Sequence, residues 1–568
     1  MPKREIRRYS IRRHGGNIDK KFTEEVRRRR NREDFYLEVS QLLNDLNRKS
    51  KSMFPKITRT EDEETTTRIT HQIDAADIAV DIAQTVGEDP VLQRLIMAHH
   101  DLEHSFQGHS GCWWISNNLR NYGLGSIDHA AQGARNPLNV ENIVEQAIEN
   151  LRIKNPNISE EELVELEENA WIIFDGILCH NGEGTDYSWE PDENKTKEQF
   201  MEQLYNSYVM GSSFSKSLTP KTVAGCIAKL ADRLSYFGQD MVDALREKFI
   251  DGLDEEYIQI LTETGIDREE LMELIQREDY KKIASKVRVL AIANAKENST
   301  KEHIGLSLEF AKVIYPLRDK NNTSAVNYAT RETEKRVYPF AIHSLLEKYS
   351  DFLISEGLME NFGEISNDET FLQRMKDKYK DSPEYFKFIK FISTMNKKED
   401  AFLEEVSERA IKKSSEEELL EAIEHVKNNS EPKGDSIVES DRLGRIFMYM
   451  NIVKGIDVQG NLSQEQIQKI MEEVQEEQEL YGYASKKSRK VVLASANFLA
   501  RLGDKEFIRE IVNNGLISEE ELKDLYRTYA QIGTDLKGNH EIDPNWKQVQ
   551  QEQQAAAEAL QQGDEKGI

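Results

Sequence analysis

Cysteine is scarce in this chain of 568 residues, which holds only Cys112, Cys179 and Cys226. They are far apart and form no CxxC pair, so the sequence supports neither a disulfide framework nor a thiolate zinc site. We expect all three to be small buried residues. Long apolar runs are also missing, and the arginine-rich start lacks the apolar core of a secretory signal. The sequence therefore predicts a cytoplasmic protein that does not contact membranes.

Positive charge is scarcer than negative charge: the chain has 76 Lys and Arg against 103 Asp and Glu, which gives a formal net charge of −27 at neutral pH. Such a balance argues against a surface broadly designed for nucleic acid. Residues 1–32 are the exception, with thirteen Lys or Arg against four Asp or Glu. This basic arm could bind a phosphate-rich partner such as nucleic acid in a salt-dependent way. It could equally be a solvated arm that packs on an acidic neighbouring subunit, and the sequence leaves both interpretations open.

Two further patterns are missing: a sustained alternation of apolar and polar residues, and a phosphate-binding loop of the GxxxxGK[ST] type. Apolar residues instead recur every three or four positions, as in residues 34–46, and beyond about residue 255 the chain consists of amphipathic helical stretches with short polar joints. The sequence predicts an all-α fold.

Histidine is concentrated in one stretch, AHHDLEHSFQGHSG at residues 98–111, which holds four histidines and an aspartate. Imidazole nitrogen and carboxylate oxygen are the usual ligands of divalent first-row metals. Asp89 and Pro90 form a good N-cap and first-turn pair, so the helix that follows would deliver His100 and Asp101 at its C-terminal end. Two ligands rarely suffice, and we expect others from distant parts of the chain.

Distant candidates lie on faces that look buried. His71 begins an apolar stripe on the helix predicted from about residue 65, so it faces the interior. A second helix, predicted from Thr219 with Pro220 in its first turn, carries an apolar stripe on one face. Asp232 and Tyr236 lie on another face, in a row that favours a polar cavity over a solvated surface. His129 lies in a polar segment that contains glycine.

The order of these residues resembles a known pattern. His71, then His100 with Asp101, then Asp232 reproduce the H…HD…D order of the HD metal-dependent phosphohydrolase superfamily. HHDLEHSFQGHSG resembles the HD-x-G-H/N-x-P-F-x-H-x-G segment of the dNTP triphosphohydrolases, ADRLSYFGQDMVDA resembles their A-D-D-I-A-Y-x-x-x-D-x-x-D, and TRITH resembles their R-x-x-H. The resemblance covers about residues 30–250. Helices to about residue 425 follow plausibly, and FLARLGDKEFIREI is similar to the closing helix.

This resemblance implies an HD-domain helical body with additional C-terminal helices. It also implies a dGTPase-like enzyme that converts a dNTP and water to a deoxynucleoside and inorganic triphosphate, with dGTP as the first substrate to test. A divalent metal ion, whether Mn, Mg, Fe or Zn, would be the cofactor, and a homo-oligomer is expected. The implied metal ligands are His71, His100, Asp101 and Asp232.

The other roles that the resemblance implies concern catalysis and substrate contact. His104 matches the general acid, His129 lies close to it, and His109 faces the phosphates. The residues implied in substrate binding are Arg68 and Arg233 for the phosphates, and Tyr236 and Asp240 for the deoxyribose. From the residues alone, His109 or His129 could exchange roles with His104. We expect His99 to lie in the core and His180 to be structural or loop-supporting.

Three departures from the family pattern concern the same site. Glu103 stands where a glycine is usual, and Cys112 where an acidic residue is usual. Ser50, Lys51 and Ser52 do not reproduce the K-T-Q that reads the 3′-hydroxyl. Two other functions therefore stay open: hydrolysis of another nucleotide phosphate ester, and a nucleotide-sensing regulatory protein whose basic arm binds nucleic acid.

The sequence predicts five regions along the chain. They are a basic N-terminal arm (1–32), an HD catalytic core (33–290), a helical extension that completes the dGTPase-like body (291–430), a C-terminal helical region (431–530) and a polar Gln/Ala-rich tail (531–568).

Overall fold

The computed structural model describes residues 20–47, 68–106, 109–121, 124–135, 143–181, 187–246, 250, 252–321, 332–358, 362, 368–395, 397–410, 413, 486–502 and 504–517. Within these ranges the protein is all-α, as the sequence predicts. The only strands in the described ranges are two-residue segments, in which Ser188 pairs with Gly305 and Trp189 with Ile304 in antiparallel register. No helix among the described residues is long and apolar enough to cross a membrane.

The helices of the N-terminal half are Lys20–Asn47, Arg68–Val86, Pro90–His99, His109–Asn121, His129–Ala134, Ile143–Lys154, Glu160–Asn169, Trp171–Cys179, Lys197–Met210, Ser212–Ser217, Val223–Tyr236, Gln239–Arg246, Glu255–Glu263 and Arg268–Gln276. Those that follow are Tyr280–Glu297, Leu308–Asn321, Glu332–Ser355, Glu369–Lys378, Pro383–Ile392, a helix over 397–410, Lys486–Ala500 and Asp504–Asn513.

Local sequence explains where two of the important helices begin. The Asp89 carboxylate accepts hydrogen bonds from the Val91 and Leu92 amides, and Pro90 opens the helix, as predicted. The predicted start at Thr219 is wrong, because Thr222 is the N-cap and its hydroxyl accepts from the Gly225 amide at 3.1 Å. Capping by Thr222 outweighs the preference of Pro220 for a first turn.

Four helices pack together to form the centre of the N-terminal body: Arg68–Val86, Pro90–His99, Trp171–Cys179 and Val223–Tyr236. Their apolar stripes are buried, including the stripe that begins at His71 and continues through Ala75, Ile78 and Ile82. All three cysteines are buried and free, as the sequence predicts. The polar residues of the histidine-rich stretch therefore lie at the end of an apolar helical core.

Helices from the C-terminal part pack directly on this body. Glu332–Ser355 lies against both His109–Asn121 and Lys486–Ala500. A buried ion pair joins Arg135 to Glu399, with Nε and Oε1 3.1 Å apart. The boundary predicted at residue 290 falls within the helix Tyr280–Glu297. The other predicted regions remain predictions, and residues 1–19, 414–485 and 518–568 lie outside the described ranges.

Part of the predicted basic arm belongs to the helix Lys20–Asn47. There Arg27 pairs with Glu162 at 3.1 Å and Arg28 with Glu165 at 3.6 Å, both on the helix Glu160–Asn169. This portion of the arm thus packs on an acidic helix of its own chain.

Candidate metal centre

The four predicted metal ligands come together in the structure. Nε2 of His71 lies 3.0 Å from Asp232 Oδ1 and 3.8 Å from Asp101 Oδ2. Nε2 of His100 lies 3.2 Å and 3.7 Å from the same two oxygens. His71 comes from the first turn of Arg68–Val86, His100 caps the C-terminus of Pro90–His99, and Asp232 lies near the end of Val223–Tyr236. Three helices therefore aim two imidazoles and two carboxylates at one point.

Hydrogen bonds on the far side of each ring orient the two imidazoles. Nδ1 of His100 lies 2.7 Å from the Met97 carbonyl, which can only accept, so Nδ1 carries a proton. Nδ1 of His71 lies 3.1 Å from Ser235 Oγ, whose own proton goes to the Asp232 carbonyl at 2.6 Å. Both rings thus present Nε2 to the carboxylates, which is the arrangement in which histidine binds metals.

The charges of this group are strongly coupled. Burial lowers the pKa of His100, but the Asp101 and Asp232 carboxylates outweigh it and raise the pKa to about 9. Burial raises the pKa of Asp232, but hydrogen bonds from His100 and His71 hold it well below its usual range. The buried Asp101 and the largely buried Asp232 need compensating positive charge.

This donor set fits a divalent cation. Neutral imidazoles and two carboxylates supply nitrogen and oxygen atoms, with no thiolate, and carry two negative charges that such an ion would neutralise. Several overlapping groups of His and Asp in the described residues have ligand atoms within 4.8 Å of one another, and any of them could hold a metal. The groups involve His71, His100, Asp101, His104, His109, His129, His180 and Asp232.

His180 belongs to this cluster, although the sequence suggested only a structural or loop-supporting residue. Its Nε2 lies 3.9 Å from Asp101 Oδ1 and 3.2 Å from His129 Nε2. Its Nδ1 lies 2.6 Å from the Ile177 carbonyl, three residues earlier, as in His100. Burial and the neighbouring His100 lower the pKa of His180 to about 4. A sequence signal was present, because both histidines cap the C-terminus of an apolar helix.

The three predicted catalytic histidines form a second group beside the first. His104 and His129 stack with ring centroids 4.4 Å apart, and His109 lies 4.9 Å from each. His129 Nε2 is 3.8 Å from Asp101 Oδ1, so the two groups are continuous. His104 and His129 are buried, whereas His109 is exposed at the start of its helix. The group therefore runs from the carboxylates to the surface.

The four residues predicted to contact the substrate differ in their surroundings. The Tyr236 ring lies 6.3 Å from His71, and Asp240 is buried in the first turn of Gln239–Arg246. Arg233 is fully buried, with its guanidinium over the Trp189 and Tyr315 rings at 4.8 and 5.0 Å. Arg68 begins its helix, and its side chain lies outside the described part. The roles of all four remain predictions.

Comparisons with known proteins find distant and partial sequence similarity to one group of proteins. No model of a known protein family matches the chain. A deoxyguanosinetriphosphate triphosphohydrolase-like protein of Rhodopseudomonas palustris is 30% identical over 184 residues, which cover 32% of this chain and 39% of that protein. For proteins of the same name from Pelagibacter ubique and Rickettsia akari, identity is 27% over 192 residues and 24% over 291 residues. The chain is their distant relative.

The matched regions cover only part of this chain and only part of each relative. They cover 33% of this chain and 43% of the Pelagibacter protein, and 48% of this chain and 63% of the Rickettsia akari protein. The chain thus spans less than two thirds of these dGTP triphosphohydrolase-like relatives. Their name alone does not transfer a reaction or a substrate to this chain.

Cys112, one of the departures from the family pattern, is buried. The carboxylate of Asp128 interacts electrostatically with His109. Both oxygens of Asp128 are engaged, one by the Ala131 amide at 3.0 Å and the other by Ser215 at 3.1 Å. Ser50, Lys51 and Ser52 lie outside the described residues.

Proposed function

We propose that this protein is an HD-type, metal-dependent dNTP triphosphohydrolase, with dGTP as the first substrate to test. The reaction converts a dNTP and water to a deoxynucleoside and inorganic triphosphate. One observation carries the proposal: His71, His100, Asp101 and Asp232 meet from three helices beside a group of three histidines. The similarity to dGTP triphosphohydrolase-like proteins supports the choice of substrate class.

In this proposal the four converging residues hold one divalent ion, whether Mn, Mg, Fe or Zn. When bound, the ion supplies charge neutralisation for a phosphoryl oxygen and makes water a better nucleophile. His100 and His71 present Nε2 because their Nδ1 atoms are held by Met97 and Ser235. His180 faces the other oxygen of Asp101, with Nε2 3.9 Å from Oδ1.

Cleavage next to the α-phosphate leaves a 5′-oxygen that needs a proton. In this proposal the group of His104, His109 and His129 supplies that proton, and His104 is the general acid. The stacked His129 and the exposed His109 flank it, and either could exchange roles with it. In this proposal His109, at the surface end of the group, contacts phosphate.

The substrate contacts complete the proposal. Arg68 and Arg233 would hold the triphosphate, and Tyr236 and Asp240 the deoxyribose. For Arg233 this role requires the guanidinium to reach the phosphates from between Trp189 and Tyr315, whose rings fix its orientation. We also propose a homo-oligomer, on the resemblance alone.

The direct test is product analysis. The purified protein is incubated with each dNTP and with Mn²⁺ or Mg²⁺, and the products are separated by anion-exchange chromatography. We expect a deoxynucleoside and intact triphosphate. Release of pyrophosphate or orthophosphate, or hydrolysis only of another nucleotide ester, would contradict the proposed reaction.

Asp101→Ala is the matching loss-of-function variant. We expect loss of bound metal and of turnover, because Asp101 faces His71, His100, His129 and His180. Asp77→Ala is the control, since Asp77 lies on the helix Arg68–Val86 that carries His71 but pairs with Arg94 at the surface. Full turnover in Asp101→Ala, with an unchanged circular dichroism spectrum in both variants, would reject the site.

A further inference from the structure

The turn that carries His104 has little regular structure of its own. It follows the helix Pro90–His99, and its backbone hydrogen bonds include one from the Leu102 amide to the His99 carbonyl at 3.1 Å and one from the His104 amide to the Asp101 carbonyl at 3.2 Å. Residues on both sides of His104 have partners in the distant C-terminal part.

Glu103, immediately before His104, pairs with Arg501. The Arg501 Nε atom lies 3.0 Å from Glu103 Oε2, and the two side chains are only 25% and 11% exposed. The partner of this carboxylate comes from the residue that directly follows the helix Lys486–Ala500.

Phe106, two residues after His104, is also held by the C-terminal part. Its ring stacks on Phe507 with centroids 3.7 Å apart and planes 5° from parallel. Tyr338 packs edge-on against Phe507 at 5.3 Å, and both phenylalanines are fully buried. Aromatic pairs of this kind add to the stabilisation that burial gives.

The same C-terminal helix contacts the element that carries His129. Asn497 Oδ1 accepts from Arg135 Nη1 at 2.7 Å and from Gln132 Nε2 at 3.4 Å. Its amide nitrogen donates to the Leu493 carbonyl at 2.7 Å, which fixes the orientation of the amide group. Two of the three proposed catalytic histidines are therefore supported from residues 486–517.

We infer that Arg501 is a positioning residue: through Glu103, and together with the Phe106–Phe507 stack, it fixes the turn that presents His104. This inference rests on the proposed function in treating His104 as catalytic. A partly exposed ion pair contributes little to global stability. Its effect is instead local, because general acid catalysis depends on placing the imidazole within hydrogen-bond reach of the leaving oxygen.

The test compares Arg501→Gln, Glu103→Gln, the double variant and Arg501→Lys in the full chain. Lys387→Gln is the control, because Lys387 pairs with Glu506 at 2.6 Å on the same C-terminal segment without touching the turn. Amide hydrogen exchange at Leu102 and His104 reports on the turn. The kcat and KM for the best dNTP report on catalysis, and thermal melting confirms folding.

In Arg501→Gln we expect faster exchange at both amides and a kcat lower by roughly 10- to 100-fold, with KM changed less than about twofold. Glu103→Gln and the double variant should match the single variant, since the two residues act as a unit. Arg501→Lys should recover part of the kcat, and Lys387→Gln should change neither readout.

Unchanged exchange in Arg501→Gln would overturn the inference, and so would faster exchange with an unchanged kcat. If the unmodified protein hydrolyses no dNTP, the proposed function fails and the catalytic part of the inference fails with it. The exchange comparison then still decides whether Arg501 orders the turn.

Discussion

His99 and His100 are neighbours with equal burial and opposite electrostatics. Burial and the charge of His100 lower the pKa of His99 to about 3, and its Nε2 lies 3.2 Å from the Ser40 hydroxyl in the core, as the sequence predicts. His100 faces two carboxylates, which raise its pKa to about 9 despite the same burial. Carboxylate neighbours therefore decide which of the two imidazoles is readily protonated, and in the proposed metal centre this is the one that would exchange its proton for a metal ion.

Metal binding should release protons. The pKa of His100 is raised in the folded protein, so without a metal its extra stability is complete below about pH 6.5 and is lost as the pH rises through about 9. At pH 7 a cation must displace this proton. The affinity for the cation should therefore fall on the order of tenfold for each unit by which the pH is lowered below 7. Calorimetry in buffers of different ionisation enthalpy measures the release.

We expect about one proton or more to leave for each Mn²⁺ ion bound at pH 7. His100→Gln is the informative variant, because it removes the proton as well as a ligand. If the unmodified protein binds Mn²⁺ without releasing a proton, and His100→Gln binds it with the same affinity, the cation does not use His100.

Helix boundaries show what local sequence can and cannot specify. The start of Pro90–His99 follows from Asp89 and Pro90, which act within a few residues of themselves. The spacing of apolar residues predicts one helix over residues 219–249, but the structure has a break between Tyr236 and Gln239. At Gly238 a Cβ atom would lie 2.8 Å from the Ala284 Cα and 2.9 Å from the Ala284 oxygen. This close approach comes from a distant helix, so periodicity could not reveal it.

Gly238→Ala should therefore destabilise the protein. A methyl group would collide with the backbone of the helix Tyr280–Glu297, and overpacking of this kind costs about 1–3 kcal/mol. Gly252→Ala is the matched control, because a Cβ atom there would meet nothing within 4 Å. Chemical denaturation measures both. Equal stability of the two variants would show that the contact at Gly238 relaxes without cost.

At the scale of the whole molecule, the sequence could predict the all-α class and, through the resemblance, the residues that meet in the candidate metal centre. It could not predict the partners of Glu103, Phe106 and Arg135, because they lie hundreds of residues away and carry no local signal. His180 was missed for a different reason: a histidine at a helix end has many structural uses.

The C-terminal helices belong to the same packed body as the site. The proposed homo-oligomer rests on the family resemblance and not on any residue named above. Light scattering coupled to size-exclusion chromatography should give a mass that is a multiple of 65.6 kDa. A monomer at micromolar concentration would contradict that expectation but leave the metal centre unaffected.

The central claim is that His71, His100, Asp101 and Asp232 bind one divalent cation. Pulsed electron paramagnetic resonance of the Mn²⁺-loaded protein tests it most directly, because imidazole nitrogen couples to the ion's unpaired electrons. The account predicts one tightly bound Mn²⁺ per chain with nitrogen coupling from two imidazoles, of which one is lost in His71→Ala. An ion with no nitrogen coupling, or coupling that is identical in His71→Ala, would contradict it.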